Sequence, residues 1–231
     1  MGKGRVCFAG GGRKPAYERF YNRRGKRCLD FILAIAGLAV VSPLYIVISI
    51  LIVADTGFPV FYRPLRGGYR GKPFRIFKFR TMVRNADKIG GGTTALNDSR
   101  ITKVGNVLRK TKLDETANLI NILLGTMSFI GPRPELLQYT DRYQGCEKKI
   151  LMVRPGVTDF SSIEFINLDE IVGAENADEM YEKYVLEKKN KLRVRYAENV
   201  SLKTDIYIFV VTIWKVLKKQ FHVWGEYQNN R

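Results

Sequence analysis

The stretch "LRKTKLDETANLINIL", Leu108 to Leu123, sets two adjacent carboxylates, Asp114 and Glu115, directly after Arg109, Lys110 and Lys112. Its pattern predicts a helix beginning near Thr111, and Thr111 with Asp114 three residues on has the form of a capping box. Backbone N–H groups at such a terminus keep a carboxylate ionised. An ionised aspartate can attack phosphorus to form an acyl phosphate, and a neighbouring glutamate can hold the Mg2+ that offsets diphosphate charge. Acids in a first turn also serve the helix dipole with no chemistry at all, so the pair reads both ways at this level.

Other cations could complete a phosphate site. Arg133 lies between Pro132 and Pro134 in "SFIGPRPE", which pre-sets its backbone and offers a fork to a phosphate, although a surface turn has the same sequence. Lys78 and Arg80 alternate with Phe77 and Phe79 in "KPFRIFKFRTM", placing both cations on one strand face with Ile76, as in any half-buried strand. Over 231 residues, 39 Lys and Arg stand against 22 Asp and Glu, a net charge of +17. That surplus fits an anionic partner: lipid headgroups, nucleic acid or a phosphorylated small molecule. His222 is the sole histidine, which excludes most histidine triads and every multi-histidine metal site. Cys7, Cys28 and Cys146 form no close pair and read as reduced cytosolic thiols.

The positioning elements follow from the pattern. "PVFYR" from Pro59 and the strand from Lys72 to Met82 predict a hairpin turning at "RGGYRG". "NADKIGGGTTALNDS" from Asn85 is a loop; from Thr102 to Leu124 two helical pieces meet near Thr111, and Gly125 ends the second. "RPGVTDF" from Arg154 is a further turn, and Glu175 to Arg195 a charged helix. The last segment, from Thr204, is rich in Trp, Tyr and Lys and reads as an interfacial helix.

Phe31 to Ala54 carries no charge and as a helix would run roughly 36 Å, enough for a hydrocarbon core of about 30 Å. Both flanks are basic, whereas the positive-inside preference wants one basic flank in the cytoplasm. Ser42-Pro43 lies near the midpoint, where proline leaves the Ala39 carbonyl without its N–H partner. A helix that enters, turns there and returns to the same face meets both observations, and a single kinked span remains the alternative. A cleaved signal peptide fits less well, because the run exceeds an ordinary h-region and no cleavage pattern follows.

The ordered motifs "KRCLDFILAI", Ser42-Pro43, "GKPFRIFKFRTM", "RITKVGNVLRKTKLDE", "NILLGTMSFIGPRPE" and "RPGVT" resemble the bacterial sugar transferases known as monotopic phosphoglycosyl transferases. The likeness covers residues 24 to 158. It implies an α+β, membrane-associated fold with an N-terminal re-entrant helix-break-helix at Ser42 and Pro43, a small β-hairpin, and several short and amphipathic helices. It also implies a ping-pong reaction. Asp114 matches the nucleophile that takes a phosphosugar from a UDP-sugar and releases UMP; a polyprenyl phosphate, commonly undecaprenyl phosphate, then receives it. Glu115 matches the Mg2+-binding partner, and Lys78, Arg109 and Arg133 match basic positions near the phosphates, with Arg80 and Arg154 completing the candidate substrate-binding cations. Small members of the family imply an N-acetylated amino or diamino sugar, and hexoses are used elsewhere in it.

Two departures stand out. Lys112 occupies the place where many relatives have Ser before Leu-Asp-Glu, and "DFSSIEFINLDEIV" replaces the Gly-Trp-Ala-Gln stretch of larger relatives.

The expected organisation is a basic, disordered N-terminal extension (1–23), a re-entrant helix (24–56), a cytosolic catalytic domain (57–200) and an interfacial helix with a basic tail (201–231). The expected location is the cytoplasmic face of the bacterial inner membrane, against anionic lipids, at the first membrane step of assembling a capsule, O-antigen or glycoprotein glycan. Two other readings stand beside it: a membrane-anchored basic module for nucleic acid or anionic lipid, and a non-catalytic scaffold of the same fold. No nucleic-acid motif favours the former, and a homo-oligomer is allowed but unreadable.

Overall fold

The computed structural model describes residues 14–86, 98–166 and 177–229. It is a helix-rich α+β protein with, among the described residues, one helix long and apolar enough to cross a membrane. That helix, α1 (Lys26–Thr56), runs unbroken through Pro43 and ends at Gly57, whose φ of 73° carries the chain out of the helix. Ser42 Oγ donates to the Ala39 carbonyl at 3.0 Å, taking up the acceptor that Pro43 cannot reach. The expected break is therefore one substituted hydrogen bond inside a continuous helix.

α1 rests on the rest of the protein at its two ends, with Tyr45 as a further contact beyond its midpoint. Near its start the Arg27 guanidinium donates to the Ile122 and Leu123 carbonyls at 2.6 and 2.7 Å. Ala34 is buried with Ile122 and Met127, Tyr45 OH donates to the Thr116 carbonyl at 2.6 Å, and Ile48 and Ile52 are buried with Phe79, Leu108 and Ala117. At its end Thr56 Oγ1 accepts from Arg80 at 2.5 Å. Residues 26, 30, 34, 48 and 52 form one buried stripe at helical spacing, while Ile32, Leu33, Val40, Ile46 and Ile50 face outward.

The predicted hairpin forms in two short ladders of one register. β1 (Phe61–Tyr62) pairs antiparallel with β4 (Lys78–Phe79), and β2 (Leu65–Arg66) with β3 (Phe74–Arg75). Then come α2 (Lys103–Lys110), α3 (Asn118–Leu124), β5 (Ser128–Ile130), α4 (Leu137–Thr140), β6 (Gly156–Thr158) parallel to β5, and α5 (Phe160–Glu164). α6 (Ala177–Met180) continues through a π-helical stretch into α7 (Glu187–Asn199), and α8 (Leu202–Asn229) follows.

Two expectations are corrected. The extension to residue 23 is not wholly disordered. Ala16 is buried in the cluster of Ile130, Val153 and Tyr196, and Asn22 Nδ2 donates to the Tyr17 and Met152 carbonyls at 2.7 and 3.3 Å; residues 1–13 lie outside the described residues. Cys146 is disulfide-bonded rather than a reduced thiol, whereas Cys28 is free and exposed. The loop reading from Asn85 falls largely outside the described residues, as does the last part of "DFSSIEFINLDEIV", residues 167–172.

α8 exposes Ile206, Phe209, Val210, Ile213, Trp214 and Leu217. Asp205, at its base, is buried in an ion pair with Lys26 of α1 and accepts from the Tyr21 and Tyr196 hydroxyls, both at 2.7 Å. One buried carboxylate thus ties the two longest helices together.

Candidate active site

Two turns aim the carboxylates. Thr111 Oγ1 donates to the Val107 and Leu108 carbonyls at 2.8 and 3.2 Å, so it closes the end of α2 and does not make the expected capping box. Lys112 adopts φ 58°, the left-handed conformation that reverses the chain, and a 3-10 turn, Leu113–Ala117, begins without a side-chain cap and runs into α3. Gly125, at φ 81°, ends α3 as expected. On the far side Asn121 fastens α3 to the hairpin, accepting from Phe77 N at 2.7 Å and donating to the Arg75 carbonyl at 2.9 Å.

The two acids have opposite surroundings. Glu115 Oε1 accepts from Lys78 Nζ at 2.8 Å and from the Arg133 guanidinium, whose Nη1 also donates to the Val157 carbonyl at 3.2 Å. Burial pushes the Glu115 carboxyl up, but Arg133 and Lys78 outweigh it and hold the group well below the usual carboxylate range. Asp114 is only 9 % exposed, and its Oδ1 has no hydrogen-bond partner. Burial first, and the Glu115 charge second, raise its pKa, against the pull of Lys78, Lys112 and Arg109. The expectation that backbone N–H groups hold Asp114 ionised is thus corrected: the neighbouring cations oppose its neutralisation. A dyad emerges with one locked anion and one carboxylate left unengaged.

Asp114 lines a cavity of about 810 Å³ together with Lys78, Arg80 and Arg109 and the aromatic side chains of Phe58, Phe61 and Tyr62. Arg109 Nε donates to Thr81 Oγ1 at 2.9 Å. Arg80 reaches away from the dyad to the end of α1, donating to Thr56 Oγ1 and the Gly57 carbonyl. Arg154 joins neither group. Its Nε donates to the Gly125 carbonyl at 3.1 Å and its guanidinium lies 5.0 Å from the Tyr69 ring centroid, closing the end of α3. Ser42 and Pro43 act within α1 only. The structure thus gathers Asp114, Glu115, Lys78 and Arg133, with Arg80 and Arg109 on the same cavity.

Asn118, one turn beyond Asp114, went unread in the sequence; its Oδ1 is buried without a donor. The signal was present, since Asn118 and Asn121 are polar positions in an otherwise apolar run. Among the described residues no three His, Cys, Asp or Glu side chains gather as a cage. The second oxygen of Glu115 and the Asn118 Oδ1 are nonetheless hard donors of the kind Mg2+ accepts, since this ion uses one or two carboxylates and completes its shell with water and substrate phosphate.

The family model described as bacterial sugar transferase matches residues 21–219, which spans α1, the hairpin, the dyad and most of α8. The chain belongs to the bacterial sugar transferase family. One relative is the UDP-glucose:undecaprenyl-phosphate glucose-1-phosphate transferase of Escherichia coli (strain K12), 35% identical over 198 residues, covering 84% of this chain and 40% of that protein. Another is the UDP-N-acetylgalactosamine-undecaprenyl-phosphate N-acetylgalactosaminephosphotransferase of Aeromonas hydrophila, 32% identical over 196 residues, 83% of this chain and 43% of that one. The sugar transferase EpsL of Bacillus subtilis (strain 168), whose activity is uncharacterised, is 34% identical over 192 residues, 83% of this chain and 87% of its own length. This bacterial sugar transferase therefore spans about 40% of the length of the first of these relatives and most of the last.

Proposed function

We propose that this chain is a phosphoglycosyl transferase that moves a sugar phosphate from a UDP-sugar to a polyprenyl phosphate. The observation that carries the reading is the asymmetric dyad: Glu115 is fixed as an anion by Lys78 and Arg133, while the buried Asp114 keeps an oxygen that the protein does not use. A carboxylate stripped of donors is a stronger nucleophile than a solvated one. In the first step an Asp114 oxygen bonds to the β-phosphorus of the donor. The bond from that phosphorus to the bridging oxygen breaks, its electron pair leaving on UMP. In the second step an oxygen of the acceptor phosphate attacks the same phosphorus and displaces the Asp114 carboxylate, restoring the enzyme and yielding a polyprenyl diphosphate sugar.

Lys78, Arg109 and Arg133 supply fixed positive charge around the phosphates, which costs no reorganisation as charge develops. Glu115, with Asn118, would hold Mg2+, which when bound neutralises diphosphate charge. The substrate names of the relatives from Escherichia coli and Aeromonas hydrophila support the reaction class and a donor that is a UDP-hexose or a UDP-N-acetylated amino sugar.

We infer that α1 enters the inner membrane from its cytoplasmic face and returns to it by bending at Ser42-Pro43, where the helix stays continuous but lacks one backbone hydrogen bond. The support is that both ends and the middle of α1 bind the same polar body, at Arg27, Tyr45 and Thr56, so a straight crossing would drag that body into hydrocarbon. The exposed apolar faces of α1 and α8 fit the bilayer, and the net charge fits anionic lipids.

The test is UMP release by detergent-purified protein with Mg2+, undecaprenyl phosphate and a panel of UDP-sugars. Release with one donor, lost in Asp114→Asn while the variant stays in the membrane fraction, is the expected result. Retained turnover in Asp114→Asn would remove the nucleophile. Absence of release with every donor, from folded protein, returns the chain to the scaffold reading.

A further inference from the structure

Arg80 presents a problem that the dyad does not solve. The residue is 8 % exposed, and one nitrogen, Nη2, serves Thr56 Oγ1 and the Gly57 carbonyl. Its Nε and Nη1 are buried with no hydrogen-bond partner. Unmade hydrogen bonds on a buried cation are costly, and guanidinium forks are built to meet phosphate or carboxylate oxygens. A second cation lies beside it: Arg84 donates to the Phe58 carbonyl, one residue along the chain from the carbonyl that Arg80 binds. The two guanidiniums are close enough for Arg84 to make the Arg80 proton easier to lose, after burial itself. Asp55 is the acid that offsets them there. Both arginines line the cavity that holds Asp114.

The wall next to these arginines is apolar and continuous with the membrane helix. Phe58 and Pro59 follow directly on the end of α1 and line the same cavity, and Phe58 is exposed. A soluble nucleotide sugar has no need of a mouth at that point. A phosphate carried on a hydrocarbon tail arrives there by necessity, with its tail along α1 and its head toward the arginines.

We propose that Arg80, with Arg84 beside it, is the receiving site for the phosphate of the lipid acceptor, held at the end of the membrane helix and open to Asp114. This rests on the transferase reading and adds which substrate Arg80 serves. Arg80 touches the acceptor phosphate through Nε and Nη1, while its Nη2 keeps the site in register with α1.

The experiment measures equilibrium binding to the full chain in detergent, with farnesyl phosphate as the lipid probe, farnesol and inorganic phosphate as its two halves, and UDP as the donor probe. Wild type is expected to bind farnesyl phosphate more tightly than either half. In Arg80→Gln that affinity falls by about ten- to a hundredfold, the scale of lost charge-assisted bonds, while UDP affinity changes by less than about threefold. Arg80→Lys keeps charge without the fork and falls between. Should Arg80→Gln fold poorly, Arg84→Gln gives the same selective loss, smaller in size. An equal or greater loss for UDP makes Arg80 a donor ligand and overturns the proposal. Unchanged farnesyl phosphate affinity with a lowered unfolding temperature also overturns it, leaving Arg80 as a brace for α1. Wild type that binds neither UDP nor farnesyl phosphate overturns the transferase reading itself.

Discussion

Replacing Asp114 by Asn should make the protein more stable while removing its turnover. The folded protein holds the Asp114 proton more tightly than the unfolded chain does, because burial and the Glu115 charge disfavour the anion. The stability linked to that proton is present below the unfolded pKa and is lost as pH rises through the folded one. At neutral pH the wild type carries the cost of a desolvated negative charge beside Glu115; the near-isosteric amide removes that charge, although its own carbonyl oxygen stays unpartnered. The excess cost of a buried charge over a buried neutral polar group is taken as about 1–3 kcal/mol. For a chain of this size each kcal/mol moves the unfolding midpoint by about 2–4 °C, so a rise of roughly 2–12 °C is expected. Thermal unfolding of both proteins in one detergent at one scan rate, at about pH 7 and again near pH 4, reads the effect. The gap should narrow toward the acid end, since wild-type Asp114 takes up its proton at a higher pH than an ordinary aspartate. A variant that melts at or below the wild type at neutral pH would refute the claim that folding disfavours the Asp114 anion.

Glu115→Gln should do the opposite, lowering stability by about 1.5–3 kcal/mol through loss of its charged bonds to Lys78 and Arg133. Because the Glu115 pKa is depressed, its contribution is present above the unfolded value and disappears as pH falls through the folded one; the melting difference should shrink at low pH. The pH profile of UMP release should fall on its acid side at a pH above that of an ordinary aspartate, and a fall at the ordinary value would contradict the raised Asp114. Arg154→Ala should melt a few degrees early, since it loses a bond to Gly125 and a contact with Tyr69, yet keep its donor KM within about twofold; a large KM change would return Arg154 to the site. In a Cys28→Ser background of oriented inner-membrane vesicles, Glu18→Cys and Lys72→Cys should react with an impermeant maleimide from the same side, and labelling from opposite sides would restore a simple crossing.

The hairpin, the division of the helices near Thr111 and the stop at Gly125 were legible because each depends on local signals: alternation, turn residues and a glycine past a helix end. The burial of α1 was not. Its buried stripe through Ala34, Ile48 and Ile52 and its outward face through Ile32, Val40 and Ile46 are equally apolar, so no polar face marks the periodicity in sequence. The site was half legible. Adjacent acids among cations announce phosphate chemistry, but nothing local says that Arg133 locks Glu115 and leaves Asp114 alone, since Arg133 arrives from eighteen residues away. Thr111 misled because the same hydroxyl can begin one helix or close another, and the left-handed Lys112 decided for closure. Arg154 sits apart from the dyad for a related reason: a carbonyl at a helix end competes for a guanidinium as well as a substrate does.

The junction at Asp205 has a practical side. Its carboxylate satisfies Lys26 and two tyrosine hydroxyls in a place that water barely enters. Trimming α8 to obtain a water-soluble fragment would strand that lysine and both hydroxyls, so the truncated chain would trade an oily surface for an unfolding core. A soluble version is better sought by repainting the outward faces of α1 and α8 with polar side chains while leaving Asp205 and its partners in place.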